Sequence, residues 1–573
     1  MTTPAADRYG SDLVVEMLRE AGVEYVAFNP GSSIRGLHES LNAAGGPPYP
    51  VLCLSEGVAV TVAHGYAKST GRPMAVLLHD VVGLQNATMS LYNAWCDRVP
   101  MLVVGGTGPL SKANRRPWID WIHTAGMQAE AVRNYTKWDD QPHDLESVPE
   151  SFARAWTTAV SAPPGPVYWC LDVDLQEQPL PAGFTRPPLA AYAVPTPPAP
   201  REQDLRQLAE RLRHASLPLL VSGYAGATPQ GFAALLALAE LLHSPVLDVG
   251  PRLAFPTAHP LAAASMPDLV RDADLVVLFD VEDPVGALRR ALDGNRADVV
   301  HVGTSHLRLR SWSHDYQALA PAGLHITGDS VPALEGLVRQ LTDDPADRAL
   351  VGARELRVAG AVAANRAAAL TMAQGRDDPA AVPVERLLAE LRTALDGVDF
   401  VLGNSTTDRV EHDLWDLDRA GQWAGHTGGG GLGYGVAASI GVALAVPAGT
   451  VVVDVQGDGD LLYAPQALWT AARLALPLLV VVHDNRCYGN TAGHLRRVAA
   501  DRGRPAGRGY AGNALDDPAV DLAGLARSLG VAAWGPISDA AALATAFKDA
   551  IETVRAGRPA LVDVLTPGGP GTS

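Results

Sequence analysis

Two short stretches near the end of the chain carry the residue types that bind a metal and a diphosphate. The first is Gly457-Asp458-Gly459-Asp460, after the apolar run TVVVDVQ. The second is Asp484-Asn485-Arg486-Cys487-Tyr488-Gly489, after the apolar run LPLLVVVH. Residues 460–483 leave room for one helix and one strand, so both stretches fall at the carboxyl ends of neighbouring strands. There the Asp458 carboxylate and the Asn485 amide oxygen can act as ligands. A turn residue such as Cys487 can add its backbone carbonyl. Hard oxygen donors with few charges suit Mg²⁺, which completes its octahedral shell with phosphate and water. Gly457 and Gly459 let the backbone approach a phosphate, and the following helix offers its N-terminus. A Gly-Asp-Gly tripeptide alone is ordinarily a strand-end turn. The second oxygen-bearing strand end, at this spacing, points to a magnesium–diphosphate site.

The elements that must position these residues repeat along the chain. Its 573 residues exceed one domain, and about 150 residues per domain predicts about three or four. Residues 1–178 alternate helical stretches with short apolar runs such as PMAVLLHD and GPVYWCLDV, the pattern of a parallel α/β sheet. A proline-rich linker is expected over 179–200. Residues 201–345 repeat the alternation as a central Rossmann-like domain. Its turn Gly223–Gly231 does not match G-x-G-x-x-G, which argues against a dinucleotide-dependent oxidoreductase. An alanine-rich helical linker is expected over 346–378, and 379–573 form the last block. All three blocks read as doubly wound parallel sheets, whose ligands bind at the carboxyl ends of strands.

Composition excludes several classes. The net charge is −17, so neither nucleic acid nor an anionic membrane is the expected partner. The N-terminus has no basic region followed by an apolar core. No uninterrupted apolar run reaches the roughly 18 residues of a spanning helix. A soluble, cytoplasmic protein is expected. Cys53, Cys96, Cys170 and Cys487 lie far apart, so no C-x-x-C pair or disulfide framework is expected. Lysine occurs only at 68, 112, 137 and 548, which lowers the case for Schiff-base chemistry.

The Gly-Asp-Gly stretch, the interval of some two dozen residues and the terminal asparagine together resemble the fingerprint of thiamine-diphosphate-dependent enzymes. This chain departs from it with Asp484 in place of a first asparagine and Asp460 where serine or alanine is common. Asn485, the metal-ligand asparagine, is kept. The resemblance implies thiamine diphosphate and Mg²⁺ as cofactors, with Asp458, Asn485 and the Cys487 carbonyl on the metal. It also implies a glutamate in the first domain, beside the aminopyrimidine ring, that promotes loss of the C2 proton. Leu54-Ser55-Glu56-Gly57-Val58-Ala59, leading into AHGYAKSTGRP, resembles that segment, so Glu56 is the expected catalytic glutamate. In this family the first domain of one subunit faces the last domain of another. A homodimer or homotetramer is therefore implied.

Within the family, the chain resembles the benzoylformate decarboxylases over most of its length. Asn29-Pro30-Gly31-Ser32 is similar to their N-P-G-S loop, which places Ser32 on the substrate carboxylate. Leu78-His79-Asp80, with Gly83 and Asn86, makes His79 the proton-transfer histidine. Gly430-Gly431-Leu432-Gly433 is similar to their G-G-L-G. It implies that Leu432 wedges the bent cofactor and that the Gly430 carbonyl accepts from its amino group. Ser405, Thr406 and Thr407 fall where the family lines the cofactor pocket, as do Gly457, Gly459, Asp460, Tyr488 and Gly489. Two departures bear on the substrate. The central-domain strand reads Leu278-Phe279-Asp280-Val281-Glu282-Asp283-Pro284, without the family's second histidine. Asn490 and Thr491 replace small apolar residues in the pocket wall, which favours a more polar substrate than phenylglyoxylate. The implied reaction is non-oxidative decarboxylation of a small 2-oxo acid through an enamine, with carboligation of comparable weight. An acetolactate-synthase-type carboligase is the rival, but its T-S-G-P-G loop is replaced by HDVVGLQN. No flavin motif appears in 201–345, so FAD is not expected. A non-catalytic thiamine-fold assembly protein is the reading from another class, and Glu56 and His79 speak against it.

Overall fold

A computed structural model describes residues 8–263, 267–284, 286, 288, 297–304, 321–375, 381–505 and 511–568. Three parallel sheets organise them. The first has six strands, in the spatial order Tyr49–Leu52, Tyr25–Phe28, Ala75–Leu78, Met101–Thr107, Pro166–Asp172 and Asp139–Asp140. The second orders Leu324–Thr327, Asp298–Gly303, Leu275–Phe279, Pro218–Ser222 and Val246–Asp248. The third orders Phe400–Ser405, Val451–Gly457, Leu478–Asp484, Ala560–Leu565 and Ala532–Ile537. Inner strands such as Met101–Thr107 and Leu478–Asp484 are mostly apolar and buried along nearly their whole length, because helices cover both faces. This is the three-domain doubly wound α/β architecture that the alternating pattern predicts.

Parallel order puts functional residues at neighbouring strand ends. In the first sheet, the adjacent strands ending at Leu52, Phe28 and Leu78 lead directly to Glu56, Ser32 and His79. In the third, the adjacent strands end at Ser405, Gly457 and Asp484. The segment 179–200 holds no α-helix; it contributes an isolated bridge from Pro179 to Tyr9 and a single turn at Leu189–Ala191. The alanine-rich stretch forms one helix, Arg348–Ala373.

The first and third domains share one hydrophobic core, running from Ala59 and Ala63 through Ala437 and Ile440 to Val480. Its centre is the crossing of helix Glu56–Thr70 with helix Gly435–Ala445. The first is buried on nearly all sides, and small residues dominate both at the crossing. A β-carbon on Gly65 would stand 1.9 Å from the Ala438 carbonyl oxygen, and one on Gly441 would stand 2.0 Å from that of Val62. The helices therefore meet backbone to backbone, and only glycine permits it at these two positions.

A fully buried charge network lies beside this crossing. The Asp97 carboxylate accepts from His64 Nε2 at 2.8 Å, Lys68 Nζ at 3.0 Å and the Gly428 amide at 2.9 Å. Lys68 also donates to the His426 carbonyl at 2.8 Å, and Arg252 of the central domain donates to the Asp97 carbonyl at 3.2 Å. Burial raises the Asp97 carboxyl, but the Lys68 charge and the His64 hydrogen bond outweigh it and hold it well below the usual range. Burial pushes His64 down to about 4 and Lys68 down to about 8. Next along the chain, Arg98 donates to Glu282 at 2.9 Å, pairs with Asp280 at 3.5 Å and stacks on the Tyr224 ring.

Two outcomes follow from this packing. Gly65→Ala should destabilise the chain by about 1–3 kcal/mol or more, read as a lower melting temperature, because backbone cannot yield as a side chain would. His64 has a folded pKa below its unfolded one, so its stabilisation is complete above about pH 6.5 and is lost as pH falls towards 4. Melting temperature should fall through that window, by the equivalent of on the order of 3 kcal/mol. His64→Gln, which keeps a donor for Asp97, should flatten that decline.

Candidate active site

The third domain builds the more acidic half of the site. Asp458 opens helix Asp458–Tyr463 directly after its strand, and Asp484 ends the adjacent one. Their carboxyl groups lie within hydrogen-bond reach of each other. Burial and then the Asp484 charge push the Asp458 carboxyl up, and burial raises Asp484 as well. Asp563, on the next strand, is pushed up to about 7 by burial and then by the Asp484 charge. Three acids at one sheet edge must either share protons or neutralise their charge on a cation. Asn485 Oδ1 accepts from the Cys487 amide at 2.9 Å, and the Cys487 carbonyl accepts from the Gly489 amide at 2.8 Å. Each of these oxygens keeps a second lone pair. The donor set of Asp458, Asn485 and the Cys487 carbonyl therefore fits Mg²⁺. A β-carbon on Gly459 would stand 2.6 Å from the Tyr488 ring, so glycine is required between these two stretches.

The neighbouring hydroxyls divide their work. Thr406 Oγ1 accepts from the Gly457 amide at 3.2 Å and bonds His483 Nε2 at 3.0 Å. Ser405 and Thr407 are buried; they bond each other at 2.8 Å, and Thr407 donates to Glu411. Of the three, only Thr406 presents an exposed side chain. Asn490 and Thr491 are exposed on the first turn of helix Gly489–Asp501.

Asp460, expected among the cofactor-lining residues, spends its carboxylate elsewhere. Oδ1 accepts from the Gly433 amide at 2.8 Å and Oδ2 from the Gly435 amide at 3.3 Å. These are the orphan donors at the start of helix Gly435–Ala445. Asp460 thus ties the Gly-Gly-Leu-Gly turn to the Gly-Asp-Gly turn. Asn93 of the first domain grips the same turn through the Gly431 amide at 3.2 Å and carbonyl at 3.4 Å. Gly430 has φ +67°, and Leu432 is 45% exposed between these two clamps.

The first domain builds the other half. Glu56 starts its helix, with Ser55 as cap, and is buried against Gly83. Neither Glu56 nor His79 makes a hydrogen bond to a residue of the third domain among those described. His79 Nδ1 lies 2.9 Å from Ser33 Oγ, and Ser33 Oγ accepts from the Asp80 amide at 3.0 Å. The Ser33 amide also points at Nδ1, at 3.4 Å, so we assign Nδ1 as the acceptor and the proton of the neutral ring to Nε2. Burial, followed by the nearby His123 and Arg116, lowers the His79 pKa. Ser32 makes no hydrogen bond to His79; its Oγ accepts from Arg116 Nη2 at 3.2 Å. Asp120 holds Arg116 in place with contacts at 2.7 and 3.0 Å.

Ser33, Asp80, Arg116 and His123 thus surround Ser32 and His79; of these only Asp80 figured in the sequence analysis, as the motif neighbour of His79. Arg116 and His123 come from the loop after strand Met101–Thr107, the next strand of the same sheet. The rule that ligands bind at strand carboxyl ends was the available signal. The central domain does not reach this cluster with the strand end Asp280–Glu282, which clasps Arg98 instead.

A parallel-sheet scaffold with an acid–amide oxygen cluster at one sheet edge and a glutamate–histidine set at another has the make-up of a cofactor-dependent α/β enzyme. The comparisons identify the cofactor class. Residues 8–135 match the thiamine pyrophosphate enzyme N-terminal TPP binding domain, and 403–564 match the C-terminal TPP binding domain. The chain belongs to the thiamine pyrophosphate enzyme family. It is 29% identical to benzoylformate decarboxylase of Pseudomonas aeruginosa over 96% of this chain and 97% of that protein. The probable 2-ketoarginine decarboxylase AruI of the same organism is 28% identical over 83% of this chain and 82% of that protein. Chloroplastic acetolactate synthase of Arabidopsis thaliana is 26% identical over 85% of this chain and 71% of that protein. The solved thiamine diphosphate-dependent 4-hydroxybenzoylformate decarboxylase of Rhodococcus jostii RHA1 superposes with a TM-score of 0.78 at 26% identity. That match covers 98% of this chain and all of that one.

Asp458→Ala should weaken thiamine diphosphate binding in the presence of Mg²⁺ by more than the roughly 10- to 100-fold that losing an outer-shell partner costs. Titration calorimetry with cofactor and metal together reads this directly. Unchanged affinity would remove Asp458 from the site.

Proposed function

We propose that this protein is a thiamine-diphosphate- and Mg²⁺-dependent decarboxylase of a polar 2-oxo acid. The observation that carries the reading is the convergence of Glu56, Ser32 and His79 on three adjacent strand ends, in a chain that also has paired acids beside Asn485. When bound, thiamine diphosphate supplies a nucleophilic carbon and an electron sink for the bond to CO₂. Asp458, Asn485 and the Cys487 carbonyl would hold its metal. Gly457, Gly459 and Thr406 would surround the diphosphate. Glu56 would hold a proton at the aminopyrimidine. Ser32, with Arg116 behind it, holds the substrate carboxylate, and a guanidinium suits that task. His79 moves protons at Nε2.

Several features support a polar substrate. Asn490 and Thr491 stand where the resemblance puts small apolar residues, and Arg116 and His123 add polar groups beside Ser32 and His79. A relative named for an arginine-derived 2-oxo acid is in keeping with this. An assembly of two or more copies, with sites between subunits, is supported by exposed apolar side chains around the expected cofactor path. Leu54, Val82, Met89 and Leu432 are each 40–45% exposed. No helix among the described residues is long and apolar enough to cross a membrane.

Glu56→Gln should lower turnover by about 10²–10⁴-fold while leaving cofactor affinity largely intact. Near-wild-type rates would sink the assignment. A panel of 2-oxo acids, run with thiamine diphosphate and Mg²⁺, with and without aldehyde acceptors and read by mass spectrometry, tests the reaction. CO₂ and free aldehyde from a polar 2-oxo acid are the expected products. A hydroxyketone formed only with acceptor present would assign a carboligase instead.

A further inference from the structure

We infer that His123 and Asp80 form a proton relay that reloads His79. This rests on the reading above and supplies what the central domain lacks. Asp80 Oδ2 lies 3.2 Å from His79 Nδ1 and 3.7 Å from His123 Nδ1. The two rings meet edge to face with centroids 5.4 Å apart, and the three ligand-type atoms lie within 4.8 Å of one another. Asp80 has φ +47°, a conformation that costs a residue with a β-carbon about 1–3 kcal/mol and is kept where the surroundings impose it. Here it turns the Asp80 amide onto Ser33. Asp80 Oδ1 and His123 Nδ1 are both buried without a hydrogen-bond partner. Buried polar atoms left in this way call for an explanation, and a catalytic role is one.

The chemistry needs such a path. Conversion of a 2-oxo acid to an aldehyde releases CO₂ and takes up one proton at the carbon that carried the carboxylate. His79 can deliver that proton from Nε2 while receiving another at Nδ1. Ser33 is a donor to Nδ1 but has no spare proton to give. Asp80, 3.2 Å from Nδ1, can pick one up and pass it on: burial pushes its carboxyl up to about 6, so roughly a tenth of it is protonated at pH 7 and exchange is accessible. Asp80 passes this proton to Nδ1 and is reprotonated from His123, whose partly exposed ring takes the replacement from water. One solvent proton is thereby consumed per CO₂ lost and ends as the aldehyde C–H, which balances the conversion of a 2-oxo acid anion and a proton to an aldehyde and CO₂. The other charged groups facing the relay are Arg116 and Asp120, which neutralise each other at 2.7 Å. The acid–base histidine missing from the central domain is thus replaced from the first.

The test uses the full-length protein in two states. In the cofactor-free protein, nitrogen-15 histidine spectra, with His79 assigned from His79→Gln, should show its titration midpoint rising towards the ordinary value near 6.5 in His123→Gln. With thiamine diphosphate and Mg²⁺, His123→Gln should slow aldehyde release roughly 10- to 100-fold at unchanged cofactor affinity. Imidazole added to His123→Ala should restore part of the rate. If His123→Gln fails to fold, the isosteric Asp80→Asn should show the same loss. An unmoved His79 midpoint, or wild-type aldehyde release by a folded variant, would overturn the relay. If the wild-type enzyme releases no CO₂ from any 2-oxo acid, the decarboxylase reading fails, and the His79 midpoint still decides whether the rings are coupled.

Discussion

The Asp97 carboxylate is the interaction on which the domain arrangement depends. It stands at the end of the helix that His79 begins, and it is wholly buried. Two donors from helix Glu56–Thr70 and one amide from the loop leading to Gly430 converge on its side chain, while the central domain reaches its carbonyl through Arg252. A buried ion pair adds little net stability over apolar packing, but leaving one member unpaired is very costly. The network therefore acts as a selector of geometry. Its charges are satisfied only when helix Glu56–Thr70, the Gly-Gly-Leu-Gly loop and the central domain are all in register.

That register matters because the loop is held from both sides. Asn93 pulls on Gly431 from the first domain, and Asp460 pulls on Gly433 and Gly435 from the third. Leu432, the expected wedge beneath a bent cofactor, sits between these clamps. Asp460 departs from the residue common in the family, and its carboxylate near a diphosphate has no electrostatic rationale from sequence alone. In the fold it answers three glycine-region amides at a helix start, a better partner for a carboxylate than an anion would be.

How much of this was legible followed the range of the contacts. The three sheets, the strand-end positions of Glu56 and His79, and the pairing of Asp458 with Asn485 all follow from period, length and local motif. Contacts between segments with no common motif were not legible. Ser33 lay hidden behind its motif neighbour Ser32. Arg116 and His123 lie in a loop that carries no recognised pattern. Their place beside His79 is set by the order of strands in the sheet, and order is a property of the whole domain. Asp484 was visible as a departure, but its charge coupling to Asp458 and Asp563 needed the register of three adjacent strands.

The central domain is in keeping with the proton relay proposed for the first domain. In the strand end Asp280-Val281-Glu282, the two acids are engaged with Arg98, which stacks on Tyr224 and continues the Asp97 junction. A strand end committed to an inter-domain ion pair cannot also present a titrating histidine to a substrate without breaking one function or the other. The first domain's own loop then becomes the available source, because it leaves the same sheet edge one strand further along. That loop carries Arg116 four residues before Asp120 and seven before His123. The proposed carboxylate-binding group and the proposed proton supply therefore share one short segment. In the proposed roles, any change of backbone there would move both together, so substrate preference and protonation rate would be coupled by covalent geometry, whereas a histidine contributed by the central domain would leave them independent.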